Sequence, residues 1–218
     1  MRVLYLTDTR EIGGAERYLA TLAQAAAHRH EVLVLAPQRE LVAWLARGAP
    51  RANVARAFAE GYHDAPGPIR RAGALATLLG SMTRSLRTLA PDAIHVNNGG
   101  FPGSDLCRMA IVAARLAGVQ RRIMTVHSNP VARAHRSDPR VQAVVDQMVW
   151  SSVHVVISPS NAVAEGLRVR RLMPPALGRT IYYGVAAARA DPAGVARLRE
   201  RLAAAGELLV GMVCARPV

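Results

Sequence analysis

Short, nearly unbroken apolar runs alternate with amphipathic stretches from the first residue onward, and few folds accept that order. Val3–Leu6, Val32–Ala36, Ala93–Val96, Arg122–Val126 and Val153–Ile157 read as strands, with Thr180–Tyr183 as a further one and Asn53–Val54 as a weak one. A strand that is apolar on successive residues must be covered on both faces, which points to a parallel sheet rather than a half-solvated antiparallel one. The stretches between them carry helical spacing. Ala15, Tyr18, Leu19, Leu22 and Ala26 fall on one face, as do Leu75, Leu79, Met82, Leu86 and Leu89, with Arg70, Arg84 and Arg87 opposite the second set. Leu41–Leu45, Leu106–Leu116 and Asn161–Leu167 read as further helices, and Val141, Val144, Val145 and Met148 predict a buried helical stripe. The fold class expected is α/β, a doubly wound parallel sheet with helices on both faces.

Such sheets bind ligands beyond the carboxyl ends of their strands. Those ends carry the most unusual polar loops of the chain: Thr7–Gly14, Asn97–Gly103, His127–Pro130 and Ser158–Asn161. A single edge of the sheet is therefore expected to hold the site.

Composition narrows the chemistry. All 28 basic residues are arginine, which excludes a P-loop lysine and a Schiff-base amine. The net charge of +13 suits an anionic partner: nucleotide phosphate, nucleic acid or acidic membrane. Cys107 and Cys214 have no metal-binding or disulfide-framework spacing, and no apolar run is long enough to span a membrane. A soluble, cytoplasmic, globular protein is expected, without a resident metal or cofactor.

Gly13-Gly14-Ala15-Glu16-Arg17 stands at a strand-to-helix turn. Glycines there let a phosphate approach the helix N-terminal N–H groups; equally, they serve a turn that needs positive φ. The pattern is not the dinucleotide fingerprint. His127 ends a strand and can hydrogen-bond a sugar hydroxyl or move a proton, whereas mid-strand His95 reads as a core residue. Asn97, Asn98 and Gly99 offer amide groups to a polyhydroxylated ligand, or make an ordinary turn. Arg133, Arg136 and Arg140 form a basic patch open to acceptor phosphate, acidic lipid or solvent.

Taken in order, these pieces resemble the N-terminal half of glycosyltransferase family 4, retaining enzymes of GT-B fold. The resemblance is carried by Gly13-Gly14-Ala15-Glu16, Arg29-His30-Glu31-Val32 (without the usual glycine), Asp92-Ala93-Ile94-His95-Val96, Thr125-Val126-His127 and Ile157-Ser158-Pro159-Ser160. The family's Asn-Gly-Val matches Tyr183-Gly184-Val185, with Tyr183 where asparagine is usual. It implies a Rossmann-like N-terminal acceptor-binding domain over 1–186, then over 187–218 a linker helix and the first strand (Leu208–Val213) of a C-terminal donor domain lying beyond the chain.

The resemblance also implies roles. Gly13 and Gly14 would offer N–H groups to the donor diphosphate, and Arg216 positive charge to the same phosphates. His127 would be the catalytic residue, bonded to the transferred sugar near the reacting carbon. Acceptor candidates, assigned by position, are Glu16, Arg17, Asn97, Asn98, Gly99, Ser128, Asn129 and Arg133, with Ser158, Ser160 and Gly184 elsewhere in the cleft. The implied partners are a nucleotide-diphosphate sugar and a hydroxyl acceptor, with acidic membrane second and no nucleic acid. On its own the chain would not transfer sugar. Two alternatives stand beside this: a basic binding module for acidic lipid or nucleic acid, and a GT-B sugar epimerase.

Overall fold

The computed structural model describes residues 1–9, 12–58, 68–131, 139–184 and 191–202. Arg133, Arg136, Arg216 and the expected Leu208–Val213 strand lie outside them. The chain forms two compact units, Met1–Tyr183 and Gly184–Val218. In the second, the described element is helix α7 (Pro192–Arg201), capped by the Asp191 carboxylate on the N–H groups of Ala193 and Gly194.

The first unit is built on β1 (Arg2–Thr7), β2 (Glu31–Ala36), β3 (Asn53–Arg56), β4 (Ala93–Asn98), β5 (Arg121–Val126), β6 (Val155–Ser158) and β7 (Gly178–Thr180). All pair in parallel in the order β3-β2-β1-β4-β5-β6-β7. The connections are helices α1 (Gly14–Ala26), α2 (Arg39–Gly48), α3 (Pro68–Leu89), α4 (Asp105–Leu116), α5 (Pro139–Ser152) and α6 (Asn161–Arg171). The strand order reverses between β1 and β4. At that point the connections leave in opposite directions and open a crevice at the carboxyl edge.

Strand alternation splits the core in two. Val3 and Tyr5 of β1 with Val32 and Val34 of β2 face α1 and α2, packing on Leu19, Ala23, Leu41 and Leu45. Leu4, Leu6, Ile94, Val96, Met124 and Val126 face the other way, onto α3 and α4. Helix α4 is buried from Asp105 to Ala114, and the predicted α3 stripe is confirmed by buried Met82 and Leu86 with Arg84 and Arg87 outside. Each such side chain contributes about 2 kcal/mol by leaving water.

Two expectations fail. The stripe on α5 is not the buried one: Val141, Val144 and Met148 are exposed, Val144 by 62%. Val145 of the expected stripe does pack on the core, and the inward face continues through Asp146, Val149 and Trp150, rotated by about one residue. The cause is ionic. Asp146 turns inward to meet Arg171 of α6 at 3.1 Å and Arg108 of α4 at 3.9 Å, and Arg108 also pairs with Asp105. Phe101 stacks on Trp150 at 4.6 Å under the Arg171 guanidinium, and the Trp150 indole N–H donates to the Arg171 carbonyl. The second failure is the last strand. It runs over Gly178–Thr180, so Tyr182 and Tyr183 lie beyond the ladder, although Ile181 N–H still reaches the Ser158 carbonyl at 2.9 Å.

Candidate active site

The carboxyl ends of β1, β4 and β5 and the N-terminus of α1 converge at the crevice. On the α1 face every second residue near that edge is polar: Tyr5 and Thr7, His95 and Asn97, Thr125 and His127, placed side by side by the parallel register. This period-two pattern is legible in the sequence.

Asn97, 1% exposed, is the centre. Its amide nitrogen donates to the Ala15 carbonyl at 3.3 Å and to Thr7 Oγ1 at 3.4 Å, tying β4 to α1 and β1. Its Oδ1 therefore faces His127 Nε2 at 2.7 Å, and a ring nitrogen facing a carbonyl oxygen must carry the hydrogen. His127 Nδ1 is then an acceptor, and the Tyr183 hydroxyl donates to it at 2.6 Å. Tyr183 stacks on Tyr18 of α1 at 4.5 Å, and the two rings flank His127. Deeper in, His95 Nε2 meets Thr125 Oγ1 at 2.7 Å.

These groups are neutral at pH 7. Burial pushes both His127 and His95 down to about 4, the latter helped by His127 itself. Burial, with the neighbouring Tyr18, raises Tyr5 to about 12, and the same causes raise Tyr183 well above its ordinary value. The arrangement hydrogen-bonds strongly and carries no proton that His127 could release as an acid near neutrality.

At the start of α1, Gly13 N–H is taken by the buried Glu16 carboxylate at 2.9 Å, so Glu16 caps the helix. Gly13 has φ −123°, and positive φ among the described glycines occurs at Gly103 and Gly118, so a positive-φ turn does not explain the Gly13-Gly14 pair. A Cβ on Gly14 would meet nothing within 4 Å, and the first-turn N–H groups have no partner within the helix. Arg17 is exposed beside them.

The Asn97–Gly103 loop is clamped. Asn98 donates to the Pro102 carbonyl and accepts from Ser104 N–H, which spends its amide inside the loop. Ser128 donates to the exposed Gly99 carbonyl at 2.8 Å. A Cβ on Gly103, at φ +60°, would stand 2.0 Å from Asn98 Oδ1, so only glycine fits there. Ser104 caps α4 and also bonds Asp8. Asn129 is exposed at the rim. Ser158 is fully buried at the end of β6, Ser160 caps α6 through Val163 N–H, and Gly184 is exposed in the second unit. Sequence motifs alone do not mark Tyr18, Tyr183 or Thr125 as site residues. The signal for Thr125 is the period-two polar alternation; nothing local in the sequence signals the contact of Tyr183 with His127, 56 residues away.

The family model for glycosyltransferase family 4 matches residues 12–189. The chain belongs to that family. Among solved structures it is similar to Anabaena HepE in complex with UDP-glucose, at 20% identity and a TM-score of 0.66 over 93% of this chain and 50% of that one. A glycosyltransferase from Rickettsia africae gives 13% identity and a TM-score of 0.65, covering 95% of this chain and 50% of that one. UDP-GlcNAc 2-epimerase from Neisseria meningitidis, bound to UDP-GlcNAc, gives 13% identity and 0.52, covering 83% and 45%. None of the curated proteins matches the sequence. At these identities the likeness establishes the fold, the Rossmann-like half of the GT-B architecture, and the chain spans about half the length of the structures it matches. No helix among the described residues is long and apolar enough to cross a membrane.

Proposed function

We propose that this family 4 domain forms the acceptor-side half of a retaining glycosyltransferase, which moves a sugar from a nucleotide-diphosphate donor to a hydroxyl acceptor. The observation that carries the reading is the meeting of Asn97, His127 and the α1 N-terminus at the strand-order reversal. The open side of Gly14 leaves room for a diphosphate against the first turn of α1, where the helix dipole favours an anion. The transferred sugar rests against the His127–Tyr183 pair, and Ser128 and Asn129 line the acceptor approach; the roles expected for Arg133 at the acceptor and Arg216 at the phosphates fall outside the described residues.

Among the described residues, the carboxylates near the edge are engaged: Glu16 caps α1, and Asp8 accepts from Ser104 and Gln38. This favours transfer without a protein nucleophile, in which the acceptor oxygen bonds the anomeric carbon on the face the phosphate leaves, the anomeric carbon–oxygen bond to the phosphate breaks, and the acceptor's hydroxyl proton passes to the departing diphosphate. The nucleotide sugar is co-substrate, and the reading calls on no resident cofactor. Family membership favours transfer over epimerisation.

The test is nucleoside-diphosphate release by the full-length gene product with UDP-, GDP- and dTDP-hexoses and hydroxyl acceptors. His127→Ala is expected to lower the rate at least ~100-fold, as loss of a polar contact at a reacting centre does. Near-normal turnover in that variant would remove His127 from the site. The 218-residue chain alone is expected not to transfer sugar. A second contact, with acidic lipid, is favoured by the exposed Val141, Val144 and Met148 beside Arg140.

A further inference from the structure

An imidazole has two nitrogens, and in this chain both are used internally. His127 Nε2–H is held by Asn97 Oδ1 at 2.7 Å, and Nδ1 receives the Tyr183 hydroxyl proton at 2.6 Å. The outermost polar atom of this chain of contacts is therefore the Tyr183 oxygen. Having donated its one proton inward, it keeps acceptor lone pairs. The phenol is held by its stack on Tyr18, at 4.5 Å between centroids and 28° between planes, and remains half-buried at the crevice. Tyr18 is itself braced edge-on against His127 at 5.3 Å and 72°.

We propose that the Tyr183 oxygen, rather than the His127 ring, is the atom that meets the transferred sugar, and that Asn97 and His127 are positioning residues that orient it. The inference rests on the reading above that the sugar sits against His127. It has a chemical consequence. A phenol oxygen whose proton points inward can only accept, so the ligand position it reads must be a hydroxyl that donates. A sugar deoxygenated or O-methylated there loses the contact.

Tyr183→Phe keeps the stack and deletes the oxygen. In the full-length gene product, the dissociation constant of whichever UDP-, GDP- or dTDP-hexose the unaltered protein binds is expected to rise ~3- to 10-fold, the range of one neutral hydrogen bond. If His127 were the sugar contact, freeing its Nδ1 would leave affinity unchanged or tighten it, and that result overturns the proposal. His127→Gln, whose amide can donate to Asn97 and accept from Tyr183, should retain most of the affinity, while His127→Phe should match Tyr183→Phe. Equal losses in the two His127 variants would also overturn it. Long-range proton–nitrogen spectra supply a check without ligand: the His127 ring must be protonated at Nε2, and protonation at Nδ1 refutes the arrangement. Failure of the unaltered protein to bind any of these nucleotide sugars refutes the transferase reading itself, and the inference falls with it. Binding that is indifferent to Tyr183 refutes only the inference.

Discussion

The two faces of the sheet bury polar groups in opposite ways. On the α1 face, Thr7, His95, Asn97, Thr125 and His127 form neutral hydrogen bonds that climb toward the open carboxyl edge. On the α4 face, the core positions of β1, β4 and β5 (Leu4, Leu6, Ile94, Val96, Met124 and Val126) are apolar, and the buried charges are held between helices: Asp105, Arg108, Asp146 and Arg171. The first set ends at half-exposed rings that can exchange a partner for a ligand. The second ends inside the protein, where an exchange would strand a charge. A buried ion pair is weak evidence of net stabilisation, yet breaking one is costly. The proposed ligand contact therefore falls on the neutral chain, while the ionic one braces the helices.

The largest effect that would test this contrast is on the ionic side. Asp146→Ala leaves the 1%-exposed Arg171 side chain without its carboxylate and should lower unfolding free energy by about 3–5 kcal/mol in urea titrations. A loss below about 1 kcal/mol would mean the helices do not depend on the pair.

The neutral side is tested by acid. Free histidine titrates near 6.5 and folded His95 near 4, so between these values the unfolded chain binds a proton that the folded one refuses. Stability therefore falls as pH drops from about 6.5 to 4. His95 contributes up to roughly 3 kcal/mol of that fall, and half-exposed His127 less. A His95→Gln variant should lose stability less steeply over this window; an identical slope would show that His95 is not buried in its neutral form.

The smallest effect separates the two sides of α5. Val144→Asp, on the exposed stripe, should change stability by no more than about 0.5 kcal/mol while reducing sedimentation of the chain with phosphatidylserine vesicles. A loss of several kcal/mol would return that stripe to the core, and unchanged sedimentation would remove the lipid contact.

The expected helices and strands are legible because their signals are local. Met82 and Leu86 repeat at helical spacing, and β1 and β2 are near-continuous apolar runs of the kind a sheet covered on both faces buries. His95 as a core residue and His127 at a strand end follow from the same patterning. The α5 face is misread because its apolar arc is wider than the core can cover. What selects the inward part is Asp146, and its partners Arg108 and Arg171 stand 38 and 25 residues away. The end of β7 is misread because Ile181, Tyr182 and Tyr183 have strong strand propensity, while the β6 partner strand stops at Ser158.

By itself, then, the sequence determined the sheet, its covering helices and the edge where polar loops gather, because periodicity and turn chemistry act over a few residues. It also carried the ordered motifs of the family. Only the tertiary structure decided which atoms of that edge remain available to a ligand. Asn97, His127 and Tyr183 lie 30 and 56 residues apart along the chain, and the direction of each hydrogen bond is set by its neighbour. A hydrogen bond's polarity belongs to the pair and not to either residue, so it appears only when the chain has brought the pair together.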